Sequence, residues 1–204
     1  MKRAIVITYD WPHEKGGYNL SILTCLRHYE KFYDEVAVLV LSEKRTENCV
    51  DLSMKIRFYH IPISKKSEIR DFMLSLPKNL AGVEVRYAKE YLQVLNIIKR
   101  EFRLNTIVFV HGVLLSRLIN QIKFHLSCDV RVVLQSHDCF HIAYKDMHKK
   151  FRGLKKLAWK IEQAKLEALE KVGVYSADKI FPITKNDSFS YSQYFPNVKF
   201  RPFL

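Results

Sequence analysis

From end to end the chain alternates between two kinds of apolar segment, and that alternation leaves few folds open. Short β-branched runs recur at "AIVIT" (4–8), "EVAVLVL" (35–41), "KIRFYHI" (55–61), "TIVFV" (106–110), "VRVVLQ" (130–135), "KIFPI" (179–183) and "VKFRPF" (198–203). Several are apolar nearly throughout, as parallel strands covered on both faces must be. Between them, apolar residues three or four apart predict helices over 18–32, 82–102, 114–126, 151–172 and 186–195. The predicted core-facing stripes are Leu20, Leu23 and Leu26 or Cys25 in the first, and Val85, Ala88, Leu92, Leu95 and Ile98 or Lys99 in the second. In the fourth, Leu154, Ala158, Ile161, Ala164, Ala168 and Val172 form the stripe, and Asn186 or Asp187 is placed to cap the last helix.

Strand and helix in strict alternation predict an α/β fold. It is a Rossmann-like, doubly wound, mostly parallel sheet of about seven strands with helices on both faces. The polar stretches 42–54 and 62–80 read as surface loops rather than linkers, so 1–204 is expected to be a single domain. With 48% hydrophobic residues the chain can bury a proper core, which excludes a disordered segment.

In such a sheet ligands bind beyond the carboxyl ends of the strands, where strand order reverses. Three segments are predicted to gather there: "YDWPHEKGGYN" (9–19), "VHGV" (110–113) and "QSHDCFH" (135–141). Gly16, Gly17, His111, Gly112, His137, Asp138 and His141 are thus expected along one cleft. A helix opening near Tyr18 presents unpaired N–H groups to a phosphate, and small residues before it let the ligand approach. A plain turn that needs positive φ explains the Gly16–Gly17 pair equally well. The G-x-G-x-x-G pattern is absent. An imidazole at His111 or His137 can hydrogen-bond a hydroxyl or phosphate, and it titrates near neutral pH. "HDCFH" invites a metal reading, but no third spaced motif accompanies it, and no metal is expected. Cys139 beside His137 is the weaker nucleophile candidate, because sequence neighbours rarely form such pairs.

Thirty-four Lys and Arg against 21 Asp and Glu give a net charge of +13, which favours an anionic partner. Lys149, Lys150, Arg152, Lys155 and Lys156 concentrate this charge in "KDMHKKFRGLKKLAWK" (145–160), with Phe151, Leu154, Leu157 and Trp159 interleaved. A basic amphipathic helix of this kind can lie on an anionic membrane, and a solvated face of a core helix accounts for the pattern as well. Without a recognised motif or second basic stripe, nucleic acid is not expected. The four cysteines form no C-x-x-C pair and read as reduced thiols of a cytoplasmic protein. The N-terminus lacks the apolar run of a signal peptide.

The order of these pieces resembles the N-terminal domain of the family 4 retaining glycosyltransferases of GT-B fold. The likeness is carried by the first strand with its "GG" loop and helix, "VFVHG", "VVLQSHD", and a long helix leading into "SADKIFPITKN" (176–186). It implies an acceptor-binding half of a hexosyltransferase-type enzyme. Its C-terminal donor-binding domain would be absent from this chain, which would be inactive alone. Its partners would be a nucleotide-sugar donor and a glycan or lipid-linked acceptor in polysaccharide or glycolipid assembly. Transfer would need no cofactor beyond that donor. The resemblance casts His111 and His137 as the catalytic pair, and Gly16, Gly17, Tyr18, Gly112 and Asp138 as substrate-binding. It also suits a cytoplasmic protein held peripherally on the inner face of the membrane by the basic segment. Glu162 and Glu170 have E-x7-E spacing but lack the Gly- and Pro-rich surroundings of a donor motif. A stand-alone binding module for a phosphorylated ligand, and a His-dependent hydrolase or epimerase, remain the alternatives.

Overall fold

The computed structural model describes residues 1–46, 52–78, 80–126, 130–137, 139–145, 147–198 and 200. The strands are β1 (Arg3–Thr8), β2 (Glu35–Ser42), β3 (Ile56–Pro62), β4 (Thr106–His111), β5 (Arg131–Ser136) and β6 (Lys179–Pro182). The helices are α1 (Gly17–Phe32), α2 (Glu68–Ser75), α3 (Glu84–Ala88), α4 (Tyr91–Glu101), α5 (Ser116–His125), α6 (Phe140–Ala143), α7 (Gly153–Ser176) and α8 (Lys185–Tyr194). Every strand pairing is parallel, and the sheet order is β3-β2-β1-β4-β5-β6. The predicted doubly wound α/β sheet is therefore present. Of the predicted seventh strand, 198–203, only Val198 and Phe200 are described, and both pack against the core.

The two faces are covered unequally. On one face Ile5, Ile7, Leu39, Val108, Val110 and Leu134 meet α4, α5, α7 and α8. On the other, Val6, Val38, Phe109 and Val133 meet α1 through Ile22, Cys25, Leu26 and Tyr29. The alternation of side chains along each strand sends successive residues to these two clusters.

Several predicted stripes are shifted. Leu20 and Leu92 face solvent, and the core side of α1 and α4 is instead completed by Ile22 and Val94. In α7 the buried residues are Leu166, Leu169, Glu170, Gly173 and Val174, whereas Leu154, Ile161, Ala164 and Ala168 are exposed. The helix meets the sheet only through its C-terminal half, so the apolar pattern of its first turns does not mark a core face. The segment 62–80 is not all loop either, since it contains α2 and a 3-10 turn at Leu76–Lys78. Its inward residues are Asp71 and Ser75, so apolar periodicity conceals it. The cap of α8 is Thr184, not Asn186 or Asp187. Its hydroxyl accepts from the Asp187 amide at 3.0 Å and donates to the Asp187 carboxylate at 2.6 Å.

Glu162 and Glu170 are structural. Glu162 accepts the Gly82 amide at 2.6 Å. Glu170, fully buried, accepts the Phe140 amide at 2.8 Å and the Tyr191 hydroxyl at 2.7 Å, and Tyr191 also lies 2.7 Å from the Ser136 hydroxyl. These bonds fix α6 and α8 against the end of β5.

Gly173 marks the closest approach of α7 to the body: a Cβ there would lie 2.8 Å from Ser116 Cβ and 3.0 Å from a Leu134 methyl. In an open helix Gly→Ala stabilises by up to ~1 kcal/mol. Here overpacking reverses the sign, and Gly173→Ala is expected to destabilise by about 1–3 kcal/mol, read as a lowered urea midpoint at unchanged m-value.

Candidate functional site

The order of the strands reverses between β1 and β4, so the crevice sits where their carboxyl ends diverge. The loop after β1 is pinned at both ends. Its Trp11 indole donates to the Ser42 hydroxyl at 2.8 Å and the Lys44 carbonyl at 2.9 Å, tying it to the end of β2. At the far end the buried Asn19 amide donates to the Asp10 carboxylate at 3.1 Å and also contacts the His13 ring. Gly16 has φ +86°, and no side chain caps α1. Nothing lies within 4 Å of a Cβ built on Gly16 or Gly17, so close packing does not demand the pair. Positive φ accounts for Gly16 alone.

Tyr18 joins this loop to the other two. Its hydroxyl donates to the His111 carbonyl at 3.1 Å and lies 2.9 Å from the Thr8 hydroxyl. Its ring stacks on Tyr9 at 4.1 Å and meets the His137 ring at 4.4 Å. Burial holds its phenol well above the ordinary value, so it stays a donor. Gly112 turns the chain at φ +91° directly over Tyr9, where a Cβ would lie 2.4 Å from the ring. Of the seven residues predicted along one cleft, Gly16, Gly17, His111, Gly112 and His137 are brought together around Tyr18. Asp138 and the side chain of His141 lie outside the described residues, and the metal reading of "HDCFH" falls there with them. Among the described residues, no group of three His, Cys, Asp or Glu side chains could hold a metal ion. Cys139 is buried, and its thiol faces the Asp187 carbonyl at 3.6 Å.

Behind the crevice runs a string of hydrogen bonds between side chains distant in sequence. The Gln135 amide donates to the Cys25 thiol, 2.9 Å away, and its oxygen accepts the Tyr29 hydroxyl proton at 3.0 Å. With that proton committed, Tyr29 accepts from His111 Nε2 at 3.4 Å. His111 Nδ1 is then a bare acceptor and takes the Nε2 proton of His137 at 3.4 Å. That leaves His137 Nδ1 with its lone pair, and no described residue bonds to it. In this orientation of the Gln135 amide, the string fixes both tautomers and turns its outermost atom into an acceptor for a ligand hydroxyl.

The expectation that these histidines titrate near neutrality is corrected. Burial, and then the neighbouring His137, hold His111 well below the usual imidazole range, and burial pushes His137 down to about 3. Both are neutral at pH 7. No motif in the sequence marks Tyr29 and Gln135 as site residues. Their signal was a phenol on an apolar helix face and an amide closing an apolar strand, since a buried polar group needs a partner.

A half-open groove of about 1020 Å³ lies elsewhere, at the amino ends of β1, β4 and β5, lined by Lys2, His28, Tyr33, Leu104 and Arg131 among others. The histidine crevice and this groove thus occupy opposite edges of the sheet.

The sequence matches no protein-family model and none of the curated proteins. Among solved structures, UGT71G1 from Medicago truncatula complexed with UDP-glucose is similar at a TM-score of 0.60 and 10% identity, over 98% of this chain and 51% of that one. A sucrose-phosphate synthase from Thermosynechococcus elongatus gives 0.55 and 15%, over 99% and 47%. UGT2 from Phytolacca americana, complexed with UDP-2fluoro-glucose and pterostilbene, gives 0.55 and 13%, over 99% and 54%. The chain has the fold of one Rossmann-like half of a GT-B protein. It spans about half the length of these structures, and at such identities the likeness is one of fold. Among the described residues no helix is long and apolar enough to cross a membrane.

The depressed imidazoles have a consequence for pH. Between the unfolded value near 6.5 and the lower folded values, the unfolded chain binds more protons. Stability is thus undiminished by these groups above about pH 6.5 and falls as the pH drops below it, by up to about 1.4 kcal/mol per pH unit for the enclosed His111. Urea unfolding at pH 7 and pH 5 is expected to show a smaller loss for a His111→Gln/His137→Gln variant than for the wild type.

Proposed function

We propose that this chain is the acceptor-side half of a glycosyltransferase of GT-B fold. It would act with a second Rossmann-like domain to transfer a sugar from a nucleotide-sugar donor. The observation that carries this reading is the His111–His137 pair at the switch point of the sheet, with its outer nitrogen left as an acceptor. Similar folds belong to proteins solved with UDP-glucose, or with a UDP-sugar analogue and pterostilbene, and the chain spans about half of each.

In this reading His137 Nδ1 accepts a hydrogen bond from a hydroxyl of the bound sugar or acceptor and so orients that oxygen. His111 acts through His137 by fixing its tautomer. The stacked Tyr9 and Tyr18 form a wall against which a sugar ring can lie. The uncapped amides at the start of α1 face the diphosphate, with the partial positive charge of the helix N-terminus stabilising the leaving group. Gly16, Gly17 and Gly112 keep the approach clear of side chains, and Asp138 completes the set. Both neutral imidazoles suit hydrogen bonding rather than charge pairing. The motif order supports the finer assignment to retaining, family 4 enzymes of polysaccharide or glycolipid assembly, which act without a metal or other cofactor at the cytoplasmic side.

The test is nucleoside-diphosphate release from a panel of nucleotide sugars by the protein of the complete reading frame. His137→Ala is expected to lower kcat/KM by about 100-fold or more at unchanged unfolding midpoint, in line with the loss of an oriented hydrogen-bonding group. Unchanged kcat/KM in that variant overturns the role of the pair. A proton NMR spectrum of the first-formed product decides retention, since an inverted anomer excludes the family 4 assignment.

A further inference from the structure

The helical connections leave one strip of the sheet bare. The crossover from β1 to β2 lays α1 on one face, whereas α5 and α7, which follow β4 and β5, pack on the other. Among the described residues, α1 alone supplies helix side chains to the cluster on its own face. The half-open groove of about 1020 Å³ lies beside α1, over the amino ends of β4 and β5. Ile107 and Arg131, opposite each other in register, both point into it.

Its floor is aromatic. Tyr29 and Phe109 stack at 4.3 Å with their planes 27° apart, and Tyr33 stands edge-on to both, at 81° and 80°. Rings set at right angles form a corner that takes a flat ring against one face and one edge. Phe32 and Leu104, 60% and 87% exposed, form an open apolar lip. The rim is cationic. Lys2 and Arg131 stand on either side of β4, about 10 Å apart at the spacing of strands in a sheet. No Asp or Glu among the described residues lines the groove. Asp34, whose carboxylate accepts the Lys2 main-chain amide at 2.6 Å, lies outside the lining.

We propose that this groove is a binding site for a small planar aromatic anion, a flat ring carrying a carboxylate, sulfate or phosphate group. The ring occupies the corner of Tyr29, Tyr33 and Phe109, and the anionic group meets the Arg131 guanidinium and the Lys2 ammonium. Charge complementarity and ring geometry together select this occupant. A free phosphate would use the cations and leave the rings in water, and an alkyl chain would use neither the cations nor the right-angled corner. The volume is at the upper end of the roughly 300–1,000 Å³ of small-molecule sites. Tyr29 gives its ring to the groove and its hydroxyl to Gln135, 3.0 Å away in the string behind the crevice. One side chain thus separates the two sites, and a ligand here touches the support of the histidines without entering their crevice. The site does not depend on the transfer reading.

The test is titration of the 204-residue chain with 2-naphthyl phosphate, followed by amide NMR shifts. Saturable shifts are expected at Phe32, Tyr33, Thr106 and Ile107, and not at Gly17 or Gly112. Cyclohexyl phosphate lacks the flat ring and 2-naphthol lacks the charge, so each should bind at least about fivefold more weakly. A Lys2→Ala/Arg131→Ala variant should bind 2-naphthyl phosphate about tenfold more weakly at unchanged unfolding midpoint. Ile107→Trp, which fills the groove, should abolish binding; if it fails to fold, the cation variant decides alone, since both of its positions are exposed. Absence of saturable binding overturns the proposal, as does wild-type affinity in the cation variant. Shifts confined to Gly17 and Gly112, or cyclohexyl phosphate binding as tightly as the naphthyl ester, overturn it too. A dimer in sedimentation that Leu104→Ser disrupts and the probe dissolves assigns the groove to a second copy instead. Failure of the protein of the complete reading frame to bind the probe assigns it to another part of the polypeptide, and either result overturns the site.

Discussion

The pairing of β1 with β4, in register from Arg3 opposite Thr106 to Ile7 opposite Val110, is the join on which everything else rests. It unites the half of the sheet that winds outward through β2 and β3 with the half that winds through β5 and β6. All strands point the same way, so every loop that follows a strand emerges at one edge. At the join itself, helices leave toward opposite faces, α1 to one and α5 to the other, and the loops part. Tyr18 and His111 meet because that parting leaves a crevice for Tyr18 to cross.

The interior behind this crevice is unusually polar for the centre of a parallel sheet. Thr8, His111, Gln135 and Ser136 end three buried strands and are themselves buried. Each is satisfied by a hydroxyl or thiol from α1 or α8: Tyr18 for Thr8, Tyr29 for His111 and Gln135, and Tyr191 for Ser136. Burial raises all three phenols, which therefore keep their protons. The tyrosines thus serve as apolar packing for the sheet and as hydrogen-bond partners of its polar ends.

How much of this was legible in the sequence depended on whether hydrophobicity and position coincided. The central strands appear as runs because a parallel strand covered on both faces has few polar positions to blur it, whereas the edge strand β3 exposes Arg57 and Pro62 and is read from its remaining apolar residues. The gathering of "GG", "VHG" and "QSH" followed from strand direction alone, before any side chain was placed. Helix α2 was invisible because Asp71 and Ser75 face inward, where ion pairs with Arg70 and Arg86 replace apolar contact for Asp71. The face of α7 was misread for the opposite reason, since its early leucines have no core to meet. The bonds among Cys25, Tyr29, Gln135 and His111 span up to 110 residues, and no spacing rule reaches that far.

The anchoring of the loop after β1 restricts where that loop can give way. Trp11 is locked into the end of β2, and Asn19 closes onto Asp10 from within the first turn of α1. Between those two clamps the exposed stretch is Glu14–Gly17. Any adjustment to the size of a guest is therefore confined to four residues with the small pair at their end. The rings of Tyr9 and Tyr18, lying outside that span, act as a fixed jaw. The crevice is built as a rigid wall facing a short yielding lip, and discrimination by shape falls to the wall.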